Sequence, residues 1–179
     1  MSDATPVSPP AGAAPELAPG ELGADELRRA LGRFVTGVTI VACRGADGAP
    51  VGLTANSFNA LSLEPPLVLW SLRRASGSID AFTQASHFAV NVLAEDQVDL
   101  SRRFARPSSA RFEAGEWSDG QGGAPVLAGC VAVFECRRRS HHEAGDHVLF
   151  IGEVERIAAG AEAPLVYHAG HYRMLGEQL

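Results

Sequence analysis

The sequence predicts a mainly β protein, a barrel of antiparallel strands decorated by two or three short helices. Short apolar runs recur from Val35 almost to the C-terminus, each bounded by residues that favour turns. No repeat and no βαβ rhythm runs through the chain, which argues against a parallel sheet. Many strands at short spacing are best accommodated by closing the sheet on itself.

The elements follow in order. Order is expected from about Asp25, where DELRRALGRF places Leu27, Ala30, Leu31 and Phe34 at i, i+3, i+4 and i+7 on one helical face. VTGVTIVAC (Val35 to Cys43) reads as one strand, GADGAP as a turn, and VGLTANSF (from Val51) as the second strand. LVLWSL (from Leu67) follows two prolines and is continuously apolar, as in a strand buried on both faces. SIDAFTQA reads as a short helix N-capped by Ser78, HFAVNVL as a strand from His87, and EDQVDLSRRF as another short helix from Glu95. Arg106 to Gly123 is polar and Gly-rich, a loop over one end of the barrel. Two long strands, CVAVFECRRRS from Cys130 and DHVLFIGEVERI from Asp146, flank the turn HEAG, and LVYHAGHYRML adds a last strand.

The length of 179 residues suits one folded domain over 24–179, preceded by a Pro-, Ala- and Gly-rich tail over 1–23 that reads as disordered. The formal net charge of -6 argues against a nucleic-acid partner, which would call for a basic face. All 15 basic residues are Arg. Cys43, Cys130 and Cys136 form no CxxC pair, so a reducing cytoplasm is expected. The N-terminal stretch lacks the basic start and apolar centre of a secretory signal, and no apolar run approaches the ~20 residues that cross a bilayer.

Two segments could carry chemistry. Thr54, Ala55, Asn56 and Ser57 form a run of small residues that would let a flat ligand approach the backbone closely, although a polar edge strand with an Asn-containing turn fits the same residues. Ser76-Gly77-Ser78 precedes a helix, where hydroxyls and unpaired N–H groups favour an anion; a plain N-cap reads the same way. His141 and His142 with Cys130 and Cys136 lack a closed four-ligand spacing, and GQGGAP leads into a strand, unlike a dinucleotide fingerprint.

The segments TANSFNALSLEPPLVLWSL, RASGS, HFAVNVL, FARPSSARF, GDHVLFIGEVE and PLVYHAGHYR occur in an order that resembles the flavin reductase-like, FMN-binding split-barrel family. The resemblance covers about residues 25–175. It implies a Greek-key split β-barrel and the activity of an NAD(P)H:flavin reductase component of a two-component flavin-dependent monooxygenase. Thr54, Ala55, Asn56 and Ser57 would line the isoalloxazine and ribityl chain, with Ser71 and Leu72 as further flavin contacts. Ser76 and Ser78 would hold the phosphate, and Arg111 with Phe112 would close over the flavin. Where the family pattern often has Lys before the Phe, this chain has Arg111. His147, in the GDH turn, would meet the nicotinamide nucleotide, with Tyr172 nearby and Arg33 as a further dinucleotide contact. The implied cofactors are FAD or FMN with NADH, NADPH being possible, and the implied assembly is a homodimer serving a monooxygenase by diffusible reduced flavin. No catalytic side chain is expected, because hydride passes directly between cofactors. A flavin-binding or storage protein of the same fold is the alternative.

Overall fold

The computed structural model describes residues 23–177, so the expectation for the N-terminal tail falls almost entirely outside the described residues. The run from Val35 to Cys43 is divided between two sheets. Thr36–Gly37 (β1) leaves at Val38, and Thr39–Arg44 (β2) continues in the main sheet. A helix, Ala24–Leu31 (α1), precedes them; its apolar face is presented outward, with Leu27 47%, Leu31 64% and Phe34 73% exposed.

The chain then forms Pro50–Ala55 (β3), Asn59–Leu63 (β4), Pro66–Arg73 (β5), the helix Ile79–Gln84 (α2) and His87–Val92 (β6). A 3-10 turn at Glu95–Gln97 leads into Val98–Phe104 (α3). The expected loop from Arg106 to Gly123 contains two 3-10 turns and the short strand Trp117–Asp119 (β7), which pairs with Pro125–Leu127 (β8). Ala132–Ala144 (β9) and His147–Ala159 (β10) form the long hairpin, and Val166–His168 (β11) with His171–Arg173 (β12) end the described chain. Thus the single C-terminal strand expected from LVYHAGHYRML is a small hairpin, turned at Ala169 and Gly170, both with positive φ.

Seven strands run antiparallel in the order β3-β2-β6-β9-β10-β5-β4. The ladder does not close, so the closed barrel expected from strand spacing is an open, split one. The gap between β3 and β5 is bridged beyond the ladder by one side chain. The Ser57 hydroxyl accepts from the Ser71 N–H at 3.0 Å and donates to the Ser71 carbonyl at 3.1 Å. A second correction concerns β5, expected to be buried on both faces. Only Val68, Trp70 and Leu72 are buried, whereas the alternate Leu67, Leu69 and Ser71 are partly open, because that face of the strand is not covered by a second layer and borders the cleft at Ser71. β4 has no counterpart in the sequence reading: its side chains are almost all exposed, leaving no apolar alternation to mark it.

Two apolar cores result. One, inside the barrel, centres on Trp70 stacked on Phe150 at 4.8 Å, with Phe82 and Phe88 edge-on to the indole. The other gathers Ile40, Leu93, Phe104, Leu127 and Leu165 beneath α3, with Phe112 and Trp117 packed against it. Together they pack against β3, β5 and the end of α3 where the sheet splits. Among the described residues no helix is long and apolar enough to cross a membrane.

Candidate functional site

A cleft of about 710 Å³ opens where the sheet splits. β3 and its exit supply Leu53, Thr54, Ala55, Asn56 and Ser57; β5 supplies Ser71, Leu72 and Arg73; the turn into α2 supplies Ala75, Ser76, Gly77 and Ser78. The segment after α3 closes one side with Ala105, Pro107, Ser108 and Arg111, and His147 enters from the start of β10. The registry explains that entry, since His147 is paired with Arg73 across β10 and β5. Gly145, at φ 60° in the hairpin turn, allows the tight return that delivers it.

The lining holds two arginines and a histidine and no Asp or Glu, although the chain is acidic overall. Such a cavity favours an anionic ligand. Its hydroxyls are partly committed. Thr54 donates to the Ser101 carbonyl at 2.7 Å and Ser57 donates to Ser71, so towards a ligand both oxygens can only accept. Ser78 sits at the N-cap position of α2 but makes no capping bond, because its backbone is helical (φ -97°, ψ -2°) instead of extended and the hydroxyl is not aimed at the first turn. The Ser78 N–H reaches Ser76 Oγ at 3.3 Å.

His147 Nδ1 donates to Asp146 Oδ1 at 2.8 Å. An ionised carboxylate only accepts, so Nδ1 carries the proton and Nε2 is left for another partner. That hydrogen bond, and then the charge of His147, hold the Asp146 carboxyl below the usual carboxylate range. Partial burial lowers the Arg111 guanidinium from its ordinary value.

Of the residues singled out from sequence, ten line this one cleft: Thr54, Ala55, Asn56, Ser57, Ser71, Leu72, Ser76, Ser78, Arg111 and His147. Three lie elsewhere. Phe112 packs edge-on against Phe104 at 5.0 Å and against Trp117 at 4.8 Å, inside the second core. Tyr172 lines an adjoining cavity of about 230 Å³ with Val38 and Tyr167, and its hydroxyl meets Ser101 Oγ at 2.8 Å. The two cavities share Thr54, Asn56 and Ala105. Arg33 is exposed after α1 and lines neither. Arg73 also lines the cleft, its only sequence signal being its place at the end of an apolar strand, as do Pro107 and Ser108, which lie within FARPSSARF without an individual role in the sequence reading.

A flavin fits this donor set. The Ser76–Ser78 turn with Arg73 nearby suits a phosphate, and the small side chains of Ala55 and Asn56 leave room for a flat ring against β3. The fold and cleft therefore define a split-barrel protein built to hold a flat, anionic cofactor. The chain belongs to the flavin reductase-like family, whose model, "Flavin reductase like domain", matches residues 31–176. It is 44% identical over 160 residues to the FMN reductase (NADH) SmoA of Agrobacterium fabrum, covering 89% of this chain and 91% of that protein. It is 45% identical over 147 residues to the reductase component of the flavin-dependent trigonelline monooxygenase of Acinetobacter baylyi, covering 82% of this chain and 47% of that longer protein. The structure of the Streptomyces globisporus NADH:FAD oxidoreductase SgcE6, in complex with NAD and FAD fragments, superposes with a TM-score of 0.84 at 37% identity, covering 91% of this chain and 98% of that one.

Proposed function

We propose that this protein is an NADH-dependent flavin reductase that binds FMN or FAD in the cleft between β3 and β5 and supplies reduced flavin to a partner monooxygenase. One observation carries the reading: a single cleft gathers small residues, helix-entry serines, two arginines and a histidine, with no carboxylate and no nucleophile–base pair. Bound together, flavin and dihydronicotinamide supply the hydride transfer between themselves. The chain's residues bind and orient. Ser76 and Ser78 hold the phosphate, Thr54 and Ser57 offer acceptors to the ring edge, and Ala55 and Leu72 form its apolar support. His147 presents Nε2 to the nicotinamide nucleotide, with Asp146 fixing the ring. Tyr172, in the adjoining cavity, is placed to border the dinucleotide.

The protein acts as a homodimer in this reading. The exposed apolar side chains of Leu27, Leu31, Phe34 and Val35 form a face that a second copy would cover. The buried, unpaired thiols fit a reducing cytoplasm. The test is steady-state consumption of NADH and NADPH with FMN, FAD and riboflavin, alongside light scattering. NADH-dependent flavin reduction by a dimer is expected. Tight flavin binding without nicotinamide oxidation would make the protein a flavin carrier.

A further inference from the structure

The geometry points to Arg111 as a positioning residue that clamps the segment 105–110 onto β3 and so sets the width of the cleft. Its guanidinium bridges two backbone carbonyls on opposite walls. Nε and Nη2 donate to the Arg106 carbonyl at 2.9 and 2.6 Å, and Nη1 donates to the Gly52 carbonyl at 2.9 Å. Arg106 lies between Ala105 and Pro107, which line the cleft; Gly52 directly precedes Leu53 and Thr54, which line the facing wall. One planar cation thus joins the two.

The next residue holds the same point of β3. A Cβ placed on Gly52 would lie 3.0 Å from Phe112 Cζ, so the phenyl ring abuts the strand where Arg111 binds its carbonyl. The segment is also tied from its other side, where Arg103 Nη1 donates to the Ala110 carbonyl at 3.2 Å. Among the described residues Arg111 makes no ion pair. Its donors face carbonyls, which a planar fork can join and a lysine ammonium, a compact point charge, cannot reproduce. Arg111 therefore acts on a ligand chiefly through the walls. The clamp stands on this chain's own geometry, and its consequence for a ligand rests on the flavin reading.

The test uses the full chain and the variants R111K and R111A. Without ligand, hydrogen exchange of the amides in 105–113 is compared with that of buried β6 (Ala89, Val90) as a reference for the global fold. Exchange in 105–113 should rise about tenfold or more in both variants, from the loss of charge-assisted bonds, while β6 is unchanged. FMN and riboflavin affinities should then fall by the same factor, about tenfold. Unaltered exchange in 105–113 would overturn the clamp. A loss confined to FMN, with riboflavin binding intact, would overturn it too and make Arg111 a phosphate ligand. If R111A does not fold, R111K decides, since it retains the charge and loses only the fork. If the parent binds neither flavin, the flavin reading fails while the exchange measurement still judges the clamp.

Discussion

Gly52→Ala offers a direct measure of how tightly β3 is held against the second core. The added Cβ would lie 3.0 Å from both Phe104 Cε1 and Phe112 Cζ, and 3.3 Å from Phe104 Cδ1. Carbon atoms prefer separations of about 3.5–4.0 Å, so several tenths of an ångström must be found. Neither ring can withdraw alone. Phe104 is 1% exposed and is pinned between Phe112 at 5.0 Å and Trp117 at 5.5 Å. Overpacking of this kind costs about 1–3 kcal/mol. Alanine also reduces the freedom of the unfolded chain, which offsets about 0.4–1 kcal/mol. A net loss of about 1–2 kcal/mol should lower Tm by roughly 2–8 °C in a domain of this size. Flavin affinity should fall as well, because Leu53 and Thr54 follow immediately. Calorimetry and flavin fluorescence quenching measure the two. An unchanged Tm together with unchanged affinity would refute the tight contact and the claim that it shapes the cleft.

The double substitution Ser76→Ala, Ser78→Ala should weaken FMN binding about tenfold or more and leave riboflavin nearly unaffected, since charge-assisted bonds to phosphate are worth about 1.5–3 kcal/mol each; equal losses for both ligands would contradict the phosphate role. His147→Ala should raise the KM for NADH by up to about tenfold at constant flavin affinity, and unchanged dinucleotide kinetics would reduce His147 to a turn residue. Burial pushes the thiols of Cys43, Cys130 and Cys136 to about 12. Iodoacetamide at pH 8 should therefore label the native protein slowly and the unfolded protein at all three positions. Thiols whose folded values are raised favour folding below the ordinary value near 9, and that contribution is lost as pH rises from there towards 12. Rapid labelling of one thiol in the native state would show that it is not sealed in the core.

Strand content and turn positions were legible because they depend on neighbours in sequence. The two long strands β9 and β10 were readable as strands, but the turn expected at HEAG is shorter: His142, Glu143 and Ala144 belong to β9, paired with Leu149, Val148 and His147, and the chain reverses at Gly145 and Asp146. β4 was not, since an edge strand whose side chains are almost all solvated carries no burial pattern. The apolar stripe of α1 marks a helix, which ends at Leu31, short of Phe34, and its spacing carries no information about what covers it: Leu31 and Phe34 are exposed in the single chain. The division of Val35–Cys43 at Val38 depends on which partners lie across the sheet: Tyr167 faces Thr36, whereas Ala55 and Val92 flank Thr39.

The candidate site divides the same way. The sequence by itself determined the residue types, since small, hydroxylated and cationic side chains clustered in a few short segments constrain the ligand chemistry wherever those segments meet. Only the tertiary structure decided which segments meet and which atoms remain available. Thr54 and Ser57 look alike as free hydroxyls in sequence, yet each has its proton committed to a carbonyl 47 or 14 residues away. Arg111 and Phe112 are adjacent in the chain, but one borders the cleft and the other enters the core. The reason is physical: a hydrogen bond or a packed ring is set by distances between atoms remote in sequence, and local propensity carries no information about them.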